Sequence, residues 1–168
     1  MNIGLSRAPY WGGFTNTFTY KGWELYLHTT YSLNYKVYNS VLAEYTSGTS
    51  WTSSNLHKVP SSLKIWEKPG DKADIPMVNA DPAFVQELNH ETSFCYTDAS
   101  HLRISNIRLT YNFPQQWMKK ICVQSAALSF SCDNVYTFAS KYFAGMDPEN
   151  VGGWAAPRRF IFGLNVTF

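Results

Sequence analysis

The most regular pattern in the chain is the alternation of apolar and polar residues at positions 158–168. One face carries apolar side chains, namely Phe160, Phe162, Leu164, Val166 and Phe168. A period of two residues predicts a β-strand with one apolar face. The segment also has about the 9–11 residues with which a tilted strand crosses a bilayer.

Four further segments alternate in the same way, at residues 13–20, 23–33, 101–113 and 126–138. The first two are separated only by Lys21-Gly22. This spacing predicts a hairpin in which the glycine supplies the positive φ that a tight turn requires.

The strand predicted at residues 101–113 changes phase along its length. Its apolar residues occupy even positions up to Ile104 and odd positions from Ile107 onwards. A β-bulge near Ser105-Asn106 would explain the change, because one extra residue exchanges the two faces of a strand. The alternative is that the first part of the strand stands above a membrane.

The connections between these strands alternate in length. Those at 21–22 and 115–125 are short, whereas those at 34–99 and 139–157 are long and rich in Gly, Pro, Ser and Asn. Outer-membrane barrels have short periplasmic turns and long extracellular loops. We therefore expect an all-β, antiparallel up-and-down sheet whose two long connections are extracellular and irregular.

Composition sharpens this picture but leaves an alternative open. Aromatic residues make up 17% of the chain, yet its mean hydropathy is below zero. Strands with one apolar face and aromatic girdles produce this combination, but a soluble carbohydrate-binding β-sandwich can also be rich in aromatic residues. The apolar face of the last strand would contact lipid in a barrel and a buried core in a sandwich.

Several function classes lack a signal in the sequence. The formal charge is +2 without a basic run, which argues against nucleic-acid binding. The three cysteines and four histidines are scattered, so we expect neither a disulfide framework nor a metal site. No catalytic constellation or cofactor motif stands out, and Asp147-Pro148-Glu149-Asn150 is interpreted as a turn rather than a calcium loop.

The chain shows no stretch of the ~20 apolar residues that form a membrane helix. Its first ten residues lack the apolar region of a secretory signal. We therefore expect the signal peptide of an outer-membrane protein on sequence outside this chain, unless Met1 is only the start of a gene prediction.

Five motifs, in this order, resemble those of one known family. They are WGGFTNTFTYKG at 11–22, WEKPGDKADIP at 66–76, SHLRISNIRLTY at 100–111, NVYTF at 134–138 and PRRFIFGLNVTF at 157–168. The family is the SusC/RagA group of TonB-dependent outer-membrane transporters. The resemblance covers nearly the whole chain, with departures at His101 and Cys132, where the family has an aromatic and a small residue.

The resemblance implies that residues 1–168 are the last five or so strands of a barrel of 22 strands. The preceding barrel strands and an N-terminal plug would belong to the same protein. The implied function is active import of glycans or peptides across the outer membrane of a Gram-negative bacterium. A SusD-like lid lipoprotein would cap the barrel, and TonB would supply energy through the plug region.

The resemblance also assigns roles to the last strand. Gly163, Val166 and Phe168 match the barrel-assembly signal, which the barrel-assembly machinery is expected to bind by β-augmentation. The residue before the glycine, usually polar, is Phe162. Phe160, Phe162 and Leu164 are expected to face lipid. Substrate-binding residues are not assigned, although the aromatic and amide residues of the loops suit sugar binding or packing against the lid.

Overall fold

The computed structural model describes residues 3–46, 59–75, 93–143 and 145–168. Parts of the long connection at 34–99, and Pro76 of the second motif, therefore lie outside the described residues. The chain divides into two compact units. The sheet unit comprises Tyr10–Ser32, His101–Phe138 and Ala156–Phe168. The loop unit comprises Met1–Pro9, Leu33–Ser100 and Ala139–Ala155.

The described residues form seven strands and two short α-helices. The strands are β1 Tyr10–Tyr20, β2 Trp23–Leu33, β3 Lys36–Tyr38, β4 Tyr96–Asp98, β5 His101–Asn112, β6 Ser125–Phe138 and β7 Arg159–Thr167. The helices are α1 Ser40–Thr46 and α2 Gln115–Met118. Single 3-10 turns occur at Ser93–Cys95, Lys119–Ile121 and Lys141–Phe143. Within these ranges, no helix is long and apolar enough to cross a membrane.

The sheet unit is one five-stranded sheet in the order β1-β2-β5-β6-β7. β5 pairs antiparallel with β2 and with β6, and β6 pairs antiparallel with β7, so the chain runs up and down through these neighbouring strands. β1 and β7 lie at its two edges, and the sheet is therefore not closed by itself. The fold class expected from the alternating pattern is confirmed. β1 begins at Tyr10, three residues before the position where the pattern placed it.

The turn between β1 and β2 has the geometry that its sequence requires. Lys21 and Gly22 have φ values of 45° and 87°, as in the tight turns whose twist matches that of a hairpin. The backbone N–H of Asn112 donates to the carbonyl oxygen of Gly22 at 2.8 Å. A Cβ on Gly22 would lie 2.9 Å from the carbonyl oxygen of Asn112. The predicted positive φ of this glycine is confirmed.

The predicted bulge is present, and it is wider than the sequence indicated. His28 and Thr29 of β2 pair with Asn106 and Ile104, so Ser105 is one extra residue in β5. Opposite the same two residues of β5, β6 pairs through Asp133 and Tyr136 and has two residues between them, one more than β5. The bulge keeps the apolar residues before and after Ser105 on the same face of the sheet.

The described part of the loop unit contains regular structure, where the sequence predicted irregular connections. β3 pairs with β4, and α1 begins after Asn39, which is completely buried. The Asn39 side chain accepts the N–H of Leu42 at 2.9 Å and donates to the carbonyl oxygen of Tyr142 at 3.2 Å. The Asn39 N–H donates to the carbonyl oxygen of Cys95 at 2.8 Å. One asparagine thus connects three segments of the unit.

Burial separates the two units. The two clusters of buried apolar residues both lie in the loop unit, one around Leu42, Leu63 and Ile75 and the other around Tyr35, Ala99 and Phe143. The apolar face of the sheet is exposed instead. On this face, Phe160, Phe162 and Leu164 are 60%, 78% and 66% exposed. A β-sandwich would bury this face against a second sheet.

Candidate functional site

The apolar face of the sheet continues from strand to strand. One row runs through Phe162, Phe130, Leu109 and Leu25, which are paired in register across β7, β6, β5 and β2. The ring centroids of Phe130 and Phe162 are 4.9 Å apart, and those of Phe130 and Phe160 are 6.2 Å apart. These contacts lie along the sheet surface, so the outer side of the rings remains available to a surrounding apolar phase.

Tyrosine and tryptophan lie near the strand ends on this face. At the end with the Lys21-Gly22 turn they are Tyr20, Trp23 and Tyr111, and at the opposite end they are Tyr10, Tyr31 and Tyr136. Phe, Leu and Ile fill most positions between them. Phenol and indole rings have one polar atom each and prefer a boundary between apolar and wet surroundings. Trp23 and Tyr31 are eight residues apart, about 26 Å along a strand, similar to the ~25 Å apolar band of outer-membrane barrels.

The opposite face has a polar row across all five strands, beside the bulge. Thr15 Oγ1 lies 2.8 Å from His28 Nδ1. His28 pairs in register with Asn106, whose side-chain amide donates to Asp133 Oδ1 at 2.6 Å. Arg159 Nη2 lies 3.1 Å from Asp133 Oδ2. The carboxylate of Asp133 is therefore shared between an amide on β5 and a guanidinium on β7.

A second charged group lies on the polar face, nearer the hairpin turn. Arg108 Nη2 is 3.9 Å from Glu24 Oε1, and its guanidinium carbon is 5.0 Å from the ring centroid of Tyr26. Charged and hydrogen-bonding side chains on one face, opposite a continuous apolar face, suit a wall between water and lipid.

Glycines of the first and last motifs make room for neighbouring side chains. A Cβ on Gly12 would lie 2.8 Å from the phenol oxygen of Tyr31, so the tyrosine lies across the glycine. A Cβ on Gly163 would lie 2.6 Å from Ser129 Oγ. Gly163, assigned above to the barrel-assembly signal, thus has a local role in the sheet.

The last-strand residues singled out from sequence do not share one surface. Gly163 pairs with Ser129 on the polar face, whereas Val166 pairs with Ala126 on the apolar face. Phe168 follows the end of β7 and is 89% exposed. These three residues are spaced along β7 and its C-terminal end, where the backbone groups of successive residues point alternately towards β6 and towards the open edge.

The sequence did not indicate how two distant loop segments are joined. Lys141 Nζ donates a short hydrogen bond to Asp74 Oδ1, and the backbone N–H of Lys64 donates to Asp74 Oδ2 at 3.2 Å. The hydrogen bond from Lys141 is the main cause that lowers the pKa of Asp74, and the same bond raises the pKa of Lys141. Asp74 therefore links segment 59–75 to the start of the second long connection.

Asn39 and Asp147 also have structural roles. Asn39 was missed, although an asparagine directly before Ser40-Val41-Leu42 has the pattern of a helix N-cap. Asp147 Oδ1 accepts the N–H of Glu149 at 3.0 Å, which confirms the interpretation as a turn. Across the described part of the chain, no cluster of three or more His, Cys, Asp or Glu side chains could hold a metal ion.

A single antiparallel sheet, apolar and exposed on one face and polar on the other, defines a sector of a transmembrane β-barrel wall. Aromatic residues near both strand ends fit the same class.

Comparison with known proteins agrees with this class. The chain is 26% identical over 183 residues to TonB-dependent receptor P3 of Formosa agariphila, and 28% identical over 182 residues to TonB-dependent receptor P39 of the same organism. Each match covers 99% of this chain and 17% of the receptor, so the chain spans about one sixth of the length of these relatives. No protein-family model matches the chain.

Solved structures show the same fold. The RagAB peptide importer in its open-open state matches with a TM-score of 0.68 and 23% identity. Its closed-closed state matches with a TM-score of 0.72 and 20% identity. Each covers 96% of this chain and 17% of the other. The receptor matches over nearly the whole chain agree with the resemblance stated above, and the solved structures show that the chain has the fold of a barrel segment of RagAB.

Proposed function

We propose that the chain is the closing sector of an outer-membrane active importer of glycans or peptides that is energised by TonB. The observation that carries the proposal is the two-faced sheet, whose exposed apolar side lies opposite the hydrogen-bonded polar row. The similar receptors are TonB-dependent by name, and the similar solved structure is named a peptide importer. We propose no catalytic role for any residue.

In this proposal, Phe160, Phe162 and Leu164 contact lipid acyl chains, and the polar row faces the lumen. The connections at 34–99 and 139–157 are extracellular, and the hairpin turn at Lys21-Gly22 is periplasmic. The exposure of Phe160, Phe162 and Leu164 supports the lipid contact, because apolar surface in contact with water is unfavourable by about 25 cal/mol per Å².

The two edges of the sheet specify what else the importer must contain. Unpaired backbone groups at membrane depth cost several kcal/mol each, so β1 and β7 require further strands. We propose that the N-terminal barrel and plug of the same protein supply them, and that the barrel-assembly machinery binds the β7 edge through the segment with Gly163, Val166 and Phe168. A SusD-like lid lipoprotein is the proposed extracellular partner.

Cysteine labelling of the full-length receptor in outer-membrane vesicles tests the proposal. The matched variants are Phe162→Cys on the apolar face and its neighbour Ile161→Cys on the polar face, in a background without the native cysteines. We expect Phe162→Cys to react with a lipid-soluble maleimide and to resist a charged one. With the lipid-soluble maleimide, Ile161→Cys should react less than Phe162→Cys. Equal reaction of Phe162→Cys with both reagents would contradict lipid contact.

Import itself is tested by deleting the gene and measuring growth on single glycans or peptides as the carbon source. We expect loss of growth on one substrate class, restored by the intact gene. Growth unchanged on every glycan and peptide that the parent strain uses would contradict the import function.

A further inference from the structure

The loop unit contains a small cavity beside β4. Its volume is about 230 Å³, and its apolar wall includes Leu42, Phe94 and Tyr142. Lys36, Asp98 and Ser140 supply polar groups to the lining. The volume lies below the ~300–1,000 Å³ of pockets for drug-sized ligands, so the cavity suits a ligand of one or two residues.

Two opposite charges lie side by side in this lining. Lys36 and Asp98 are register partners on β3 and β4, and side chains directly opposite each other in such a pair are ~5 Å apart at Cβ. Both residues are exposed. A ligand can therefore reach the ammonium and the carboxylate at the same time.

Ser100 holds the Asp98 carboxylate in place, and the stem of Lys36 runs beside Gly4. Asp98 Oδ1 accepts the N–H of Ser100 at 2.9 Å and its hydroxyl at 2.6 Å. A Cβ on Gly4 would lie 3.5 Å from Lys36 Cδ, which shows that the lysine stem passes close to this glycine. Fixed charges lose less conformational freedom when a ligand binds.

We propose that this cavity binds a short zwitterionic peptide with an apolar side chain. The apolar side chain would contact Leu42 and Phe94, the carboxylate would contact Lys36, and the ammonium would contact Asp98. A neutral glycan has neither charge and would form no ion pair with Lys36 or Asp98. The proposal rests on the import function above and narrows its substrate class to peptides.

Binding to the purified full-length receptor tests the site by calorimetry. The probes are the dipeptide Leu-Leu, its N-acetyl form, its C-terminal amide, and maltoheptaose. We expect Leu-Leu to bind and Lys36→Met to weaken that binding about tenfold, because a charged hydrogen bond is lost. The same substitution should leave binding of the amide nearly unchanged, since the amide has no carboxylate for Lys36.

Asp98→Asn gives the complementary result. Its amide oxygen still accepts from Ser100, so the turn is kept while the charge is removed. We expect weaker binding of Leu-Leu but little change for the N-acetyl form. Lys68→Gln is the matched control, because Lys68 is exposed in the same unit and outside the cavity lining. It should bind all probes like the parent protein.

Three outcomes overturn the proposal. They are equal binding of all three peptide forms, binding of maltoheptaose without any peptide, and equal weakening of all three forms by Lys36→Met, which would show that Lys36 does not recognise the carboxylate. Uptake of labelled Leu-Leu, measured in parallel, separates the two claims. Uptake that is insensitive to both variants rejects this site and keeps peptide import, whereas charge-specific binding without uptake keeps the site and rejects import.

Discussion

The hydroxyl of Ser129 occupies the space where a side chain on Gly163 would begin, with only 2.6 Å between its oxygen and an ideal Cβ position. The same hydroxyl donates to the carbonyl oxygen of Gly163 at 3.4 Å. We expect Gly163→Ala to destabilise the barrel by about 1 kcal/mol, because the serine must move away. The melting temperature of the full-length receptor in detergent measures this change.

Ser129→Ala in the same protein separates packing from assembly. If the glycine is needed mainly to accommodate Ser129, the double variant should recover most of the lost stability. If the double variant still reaches the outer membrane in reduced amount, with normal stability of the fraction that does, the glycine acts in recognition by the assembly machinery instead.

Within the loop unit, we expect stability to be most sensitive to substitution of Asn39. Asn39→Ala removes the cap of α1 and leaves the carbonyl oxygen of Tyr142 without this donor, at an expected cost of about 1–3 kcal/mol. Hydrogen exchange of peptides covering residues 36–46 should accelerate. Asn39→Ser keeps a capping oxygen and should give an intermediate rate. Equal rates for Asn39→Ala and the parent protein would show that the cap contributes nothing.

Acid should open the contact between Asp74 and Lys141. The pKa of Asp74 is lowered below its ordinary 3.8 by the hydrogen bond from Lys141 and then by the N–H of Lys64. The stabilising contribution is complete above pH 3.8 and is lost as the pH falls through the lowered pKa. On the alkaline side, Lys141 contributes fully below 10.5 and loses its contribution as the pH rises through its raised pKa.

Hydrogen exchange of residues 59–75 as a function of pH, corrected for intrinsic exchange, measures the opening of the Asp74–Lys141 contact in acid. Asp74→Asn should remove the acid-induced opening, whereas Glu67→Gln, an exposed change in the same segment, should retain it. If Asp74→Asn still showed the same acid-induced opening, another carboxylate would be its cause.

The hairpin turn should tolerate change at its first position and not at its second. Gly22→Ala forces a Cβ into a residue with φ of 87° and within 2.9 Å of the Asn112 carbonyl oxygen, which should cost about 1–2 kcal/mol. Lys21→Asn should be neutral or slightly stabilising, because asparagine tolerates the φ of 45° at that position. Thermal unfolding of both variants in the full-length receptor checks the contrast. A similar loss in both would indicate that side-chain contacts of Lys21 matter more than its backbone.

The sheet could be predicted because alternation reports directly which face each residue occupies. The bulge in β5 was visible because a single extra residue, Ser105, reverses the phase of the pattern. The two extra residues of β6 could not be seen in the sequence, because an even number of extra residues leaves the alternation of apolar and polar positions unchanged. In the structure, Asn134 marks their position with a φ of 52°. Its side-chain amide donates to the carbonyl oxygen of Pro157 at 3.1 Å and so joins the last two motifs.

The loop unit could not be predicted because its contacts join residues that are far apart in sequence without any period. Leu42, Leu63 and Ile75 form one cluster, although nothing in their spacing relates them. The polar row could not be predicted either. In the sequence, His28, Asn106 and Asp133 are ordinary polar residues of alternating strands, and it is the register at the bulge that brings them together.

The unequal strand lengths at the bulge limit how this part of the protein can lose residues. Beside an unbroken β2, β5 is longer by one residue and β6 by two. Deleting Ser105 would remove the bulge from β5 and leave strict alternation, with Ile104 and Ile107 two positions apart on the apolar face. Removing Asn134 and Val135 together would only shorten β6 and keep every remaining side chain on its own side. Natural or engineered shortening here should therefore remove one residue from β5 or two from β6, whereas the loss of a single residue from β6 would exchange the faces of one part of that strand.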